Sequence, residues 1–205
     1  MLKKITAFIC TLSFLTVPQV ISSAAETDDA KSGILQGLGI VTYSRVNREN
    51  FINSLEALLY EDTSLFTAED VAKQTGMIPG DAEYKGNDSI TVSDAAQYAV
   101  VALGYKMQAE LDGSYLNVAA QLGLMKGISD SGDKKLSYDN AVKLLYNMLD
   151  VAPMQKIVDG TGTGYWIDPN TNLLEVNRDI YKIYGFVTAD TNTSLYSDTG
   201  RYNKH

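Results

Sequence analysis

At 205 residues, 45% of them hydrophobic and 20% charged, the chain has the make-up of an ordinary globular protein with room for one domain and an appendage. Its 25 acidic and 17 basic residues give a formal charge of −8. That balance argues against nucleic acid as a partner, because a polyphosphate needs a basic face.

Met1 to Ala25 has the three parts of a secretory signal: Lys3 and Lys4, an apolar run from Ile5 to Val17, and the small-residue end Ser22-Ser23-Ala24-Ala25. Cleavage is expected after Ala25. The run is shorter than the ~20 residues that span a bilayer, which disfavours a membrane anchor, so no integral membrane segment is expected in the mature chain. Cys10, the sole cysteine, lies inside the run without the small residues that lipidation needs before it. The mature chain then has no cysteine, which excludes disulfides, thiol catalysis and thiolate metal sites. Once Lys3 and Lys4 leave, 15 basic residues face 25 acidic ones, a charge of about −10.

Glu26 to Lys31 is polar and reads as a flexible lead-in, followed by GILQGLGIV from Gly33. VNRENFINSLEALLYED is an amphipathic helix with Asn47 as N-cap, Glu49 near the positive end of the dipole, and Phe51, Leu55, Leu58 and Leu59 on one face. TAEDVAKQTGMIPG gives a short helix that starts on a capping arrangement of Thr67 and Asp70 and stops at Gly76. Residues 81 to 89 are a polar connector. Ile90 to Met154 then predicts three helices. The first is capped by Thr91, carries Ala95, Ala99, Ala102 and Leu103, and is stopped by Gly104. The second carries Leu116, Ala119 and Ala120 and ends at Gly123. The third is capped by Ser137, with Ala141, Leu144, Leu145, Met148 and Leu149 as a full apolar stripe closed by Pro153.

These pieces repeat. GLGIV with VNRENF, TGMIPG with ITVSDA, and LGLMKG with LSYDNA are three copies of one unit, a short helix ending in glycine, a loop, and a capped longer helix. Gly39, Gly76 and Gly123 mark the same point in each, at spacings of 37 and 47. A two-helix unit this small cannot bury its own apolar face, whereas three packed together can.

The succession of a capped helix, an LGY turn, YLNVAAQLGLMKG and LSYDNAVKLLYNMLD resembles the S-layer homology module, in the diverged form common in secreted clostridial proteins. The resemblance covers roughly residues 33 to 154. It implies an all-α fold of three helix-loop-helix repeats, about 33–60, 67–104 and 114–150, in a pseudo-threefold bundle over residues 32–154. Leu55, Ala99 and Leu145 should then meet in one core. It also implies a non-catalytic role, the attachment of an exported protein to anionic secondary cell-wall polysaccharide at the surface of a Gram-positive cell. In the family an arginine follows the cap residue of the longer helix, where a guanidinium beside a helix N-terminus offers paired donors to a carboxylate. Arg48 matches it, whereas Val92 and Tyr138 stand at the corresponding positions of the other copies. The polymer contacts carried over are therefore Arg48 and Asn47, the loop glycines Gly39, Gly76 and Gly123, and Lys126. The competing reading of Arg48 is a solvated first-turn residue. That of Asn47, Thr91 and Ser137 is helix capping, supported by Asn50, Asp94 and Asn140 at the third helical position. The alternative for the whole module, given the lost arginines, is a degenerate scaffold for structure or protein interaction.

No catalytic residue, metal site or cofactor is expected. His205 is terminal, no Gly-x-Ser-x-Gly or His-Glu-x-x-His motif occurs, and Asp130-Ser-Gly-Asp133 lacks the ligand spacing of a calcium loop. Residues 155–205 read as a linker and the start of a β-containing segment cut short by the chain's end. DGTGTGYWIDPNTN is a loop by composition, its Tyr165 and Trp166 either contacting sugar or plugging the linker against a neighbouring domain. A helix is expected within 173–184, and one or two strands over 184–189 and 194–197.

Overall fold

The computed structural model describes residues 28–40, 42–60, 63, 66–159 and 162–180. They form α1 (Asp28–Gly37), α2 (Arg48–Leu59), α3 (Ala68–Thr75), α4 (Val92–Ala102), α5 (Lys106–Asp112), α6 (Tyr115–Gln121), α7 (Tyr138–Met148), β1 (Gln155–Asp159), β2 (Gly162–Trp166) and α8 (Leu173–Arg178). The protein is mostly helical. None of the described helices is long and apolar enough to cross a membrane.

The helix starts follow the local chemistry. Thr67 and Thr91 each close a capping box, with Asp70 and Asp94 returning the bond. Asn47 and Ser137 cap α2 and α7 through Asn50 N–H and Asn140 N–H. The short helices end alike. Gly39, Gly76 and Gly123 take φ of 79°, 77° and 79°, and each N–H returns to a carbonyl three residues back, at Gln36, Lys73 and Ala120. Replacing Thr91 with Ala should cost about 1 kcal/mol. That is roughly 2–4 °C in a thermal melt followed by circular dichroism, and a melt no lower than wild type would show that the box contributes nothing.

The three long helices α2, α4 and α7 touch one another, and each has a shorter helix as its main flanking partner: α3 on α2, α6 on α4, and α1 on α7. Leu55, Ala99 and Leu145 are at most 1% exposed and belong to one continuous core, as expected. The apolar stripe of α7 is buried throughout, and the Ala-rich face of α4 lets its neighbours approach closely.

Five features differ from the expectations. Helix α1 begins at Asp28, inside the presumed lead-in, where the Asp28 carboxylate meets Lys31 at 3.6 Å and Lys143 of α7 at 3.1 Å. The polar segment KMQAELD forms α5, so four helices rather than three lie between Ile90 and Met154. Only Ala109 of α5 is buried; Tyr105 and Lys106 fix its start, bonding to Ala152 O at 2.8 Å and Gly76 O at 3.3 Å. The Gly- and Thr-rich segment after Pro153 is an antiparallel hairpin, with Gln155 opposite Trp166 and Asp159 opposite Gly162. Tyr165 and Trp166 are adjacent on β2, so they face opposite sides and offer no single stacking surface. Finally, α8 packs on α2, and its buried Leu173 and Leu174 carry the core past residue 154. The strands expected at 184–197 lie outside the described residues, as does the signal segment.

Candidate functional site

The site is built at the N-terminus of α2. The first turn of a helix leaves amide donors without intrahelical partners, and these are the groups that could hold an anion. Here they are already satisfied. Arg48 N–H donates to Asp88 O and Glu49 N–H to Gly86 O, both at 2.9 Å, while Asn47 Oδ1 accepts from Asn50 N–H at 2.8 Å. The same device recurs at α4, where Val92 N–H donates to Lys134 O and Ser93 N–H to Gly132 O, both at 2.9 Å. In both cases the polar connector ahead of the next long helix supplies the carbonyls. An anion arriving at α2 therefore meets side-chain donors, not free backbone.

Of the two readings of Arg48, polymer contact and a solvated first-turn residue, the second does not describe its surroundings. Arg48 is half-buried, its Nε donating to the Tyr98 hydroxyl of α4 at 3.0 Å and its Nη1 to Lys85 O at 2.8 Å. A guanidinium has five N–H donors, so three remain for a ligand. Two further tyrosines shape the surroundings. Burial raises the Tyr98 hydroxyl's pKa, with Arg48 opposing, and pushes Tyr84 up to about 12 with help from the Glu49 carboxylate. Both phenols are neutral at physiological pH, leaving Arg48 as the cation among them.

At the corresponding positions Val92 is fully buried, and Tyr138 directs its hydroxyl to Ser32 Oγ at 3.0 Å and Thr42 Oγ1 at 3.1 Å. The first residue of each long helix thus contacts a distant segment of the chain, but only Arg48 brings charge.

The other sequence-predicted residues are dispersed. Asn47 is buried and its oxygen caps α2. Gly39 lines an open cleft of about 440 Å³ together with Glu49 and Glu56 of α2. Gly76 lies against the Lys106 ammonium. Gly123 has open space around it, and the Lys126 side chain is exposed while its carbonyl accepts from Asn147 Nδ2 at 2.9 Å.

Sequence reasoning missed Glu56. It is 3% exposed, and its Oε1 has no hydrogen-bond partner. Burial raises its pKa above the ordinary 4.5. A carboxyl raised in the folded state stabilises the fold most below its unfolded pKa, and that contribution is lost as pH rises through the folded pKa. Glu56→Gln should therefore melt above wild type at pH 7, with the advantage shrinking as pH approaches 4.5. An advantage that grows on acidification would contradict the raised pKa. The signal that could have found it is an acidic residue beside Leu55 within the apolar arc of α2.

No protein-family model matches the chain, and no curated protein matches it.

Proposed function

We propose that this chain is an exported, non-catalytic module that attaches non-covalently to anionic secondary cell-wall polysaccharide, with Arg48 as its principal contact. The observation that carries the reading is Arg48 itself, held by two hydrogen bonds at a junction between repeats and keeping three donors for a carboxylate. The pseudo-threefold bundle belongs to the same proposal. Three findings support it: the cyclic flanking of the long helices by the short ones, the common geometry of Gly39, Gly76 and Gly123, and connector carbonyls closing both α2 and α4. Export rests on the segment from Met1 to Ala25, and N-terminal sequencing of the mature protein should begin at Glu26.

A degenerate scaffold is the competing reading. It is favoured by the burial of Val92, by Tyr138 bonding within the protein, and by the filled helix N-termini. Co-sedimentation with purified Gram-positive sacculi separates the two. Under the attachment reading the chain pellets with sacculi that retain their secondary polymer and stays in solution with stripped ones. A chain that pellets with neither is a scaffold.

A further inference from the structure

The cleft beside α2 has the wrong charge for the polymer that Arg48 would hold. Glu49, Asn53 and Glu56 are spaced i, i+4 and i+7, on one face of the helix, and all three line it. Tyr43, Thr63 and Phe66 line it as well, and no lysine or arginine is among its described lining residues. Neither glutamate has an ion-pair partner among the described residues. Glu56 is the informative one. A carboxyl withdrawn from water, with one oxygen lacking a hydrogen bond, is unfavourable as an anion unless a cation reaches it. A folded protein that keeps such a group on the wall of an open cleft has a place for a cation supplied from outside.

We propose that this cleft binds a sugar bearing a free primary ammonium group, the ammonium pairing with Glu56. Aromatic residues strengthen such a site, since ring faces attract ammonium ions, and Tyr43 and Phe66 are among the residues that line the cleft. The Asn53 side-chain amide makes no bond among the described residues, leaving both a donor and an acceptor for ring hydroxyls. At about 440 Å³ the cleft falls within the ~300–1,000 Å³ of small-ligand sites, larger than a lone ammonium requires. The binding is separate from the contact assigned to Arg48 and does not depend on wall attachment.

The test is calorimetric titration of the purified chain with three probes: a glucosamine oligomer, the matching N-acetylglucosamine oligomer, and a simple alkylamine. The glucosamine oligomer should bind at least tenfold more tightly than either of the others. Glu56→Gln should reduce that affinity at least tenfold. The substitution replaces a charge by a neutral amide of the same shape, and a thermal melt verifies that the variant is folded. Asn53→Lys, which places an ammonium in the cleft, should compete and abolish binding. Equal affinity for the acetylated oligomer, equal affinity for the alkylamine, full affinity in Glu56→Gln, or no binding of the glucosamine oligomer would each overturn the proposal.

Discussion

Gly104→Ala is expected to destabilise the fold by ~2–5 kcal/mol, far more than the same change at Gly123. Both glycines have positive φ, 87° and 79°, where a β-carbon strains the backbone by roughly 1–2 kcal/mol. They differ in surroundings. A β-carbon on Gly123 meets nothing within 4 Å, whereas one on Gly104 would lie inside contact distance of the Met154 carbonyl oxygen and 3.2 Å from Met154 Cβ. The Met154 backbone has little freedom to retreat. Its N–H donates to Leu103 O at 2.8 Å, and the Tyr105 hydroxyl holds Ala152 O at 2.8 Å, so the chain leaving α7 is fastened to the end of α4 from both sides. Overpacking against such a support adds ~1–3 kcal/mol to the strain. In thermal melts Gly104→Ala should fall by about 10 °C and Gly123→Ala by about 3 °C. Equal losses would mean that the segment at Met154 moves aside freely and is no structural fastening.

The contrast also shows what the sequence carries. Gly104 was legible as a helix stop, because a lone glycine after Ala99, Ala102 and Leu103 ends an apolar period. That Met154 presses on it was not, since the contact joins residues fifty positions apart. The same division runs through the fold. Caps, stripes and glycine stops depend on residues three or four apart, so Asn47, Thr67, Thr91 and Ser137 and the stripe of α7 could be found from spacing alone. Helix α5 has neither a side-chain cap nor an apolar face, with Met107 and Leu111 exposed, and its start is held by distant groups. The hairpin was hidden by composition. Glycine and threonine in GTGYW suggest a loop, yet the strand pairs along its full length with QKIVD.

For the candidate site, spacing identified Arg48 but not its partners. Lys85 and Tyr98 are 37 and 50 residues away, and no local pattern announces that they converge on a guanidinium. The filling of the α2 N-terminus by Gly86 and Asp88 was likewise invisible, and it takes the first-turn amides of Arg48 and Glu49 out of reach of an incoming anion.

Arg48→Ala is expected to release the chain from polymer-bearing sacculi, lowering affinity ten- to hundredfold, because a charge-assisted contact contributes ~1.5–3 kcal/mol. The structure adds a second effect. Removing the side chain leaves the Tyr98 hydroxyl and Lys85 carbonyl without their donor, which should lower stability by about 1–2 kcal/mol. A binding loss alone would therefore be ambiguous, since a loosened junction could also detach. Tyr98→Phe resolves it by deleting the hydroxyl that Arg48 Nε bonds while preserving the ring and the guanidinium. It should cost about 1 kcal/mol of stability yet pellet like wild type, given that the charge and the unused donors remain. If both variants detach equally, Arg48 acts by holding α2 to α4 and not by contacting polymer. If Arg48→Ala pellets as well as wild type, attachment runs through another surface and the role assigned to Arg48 is wrong.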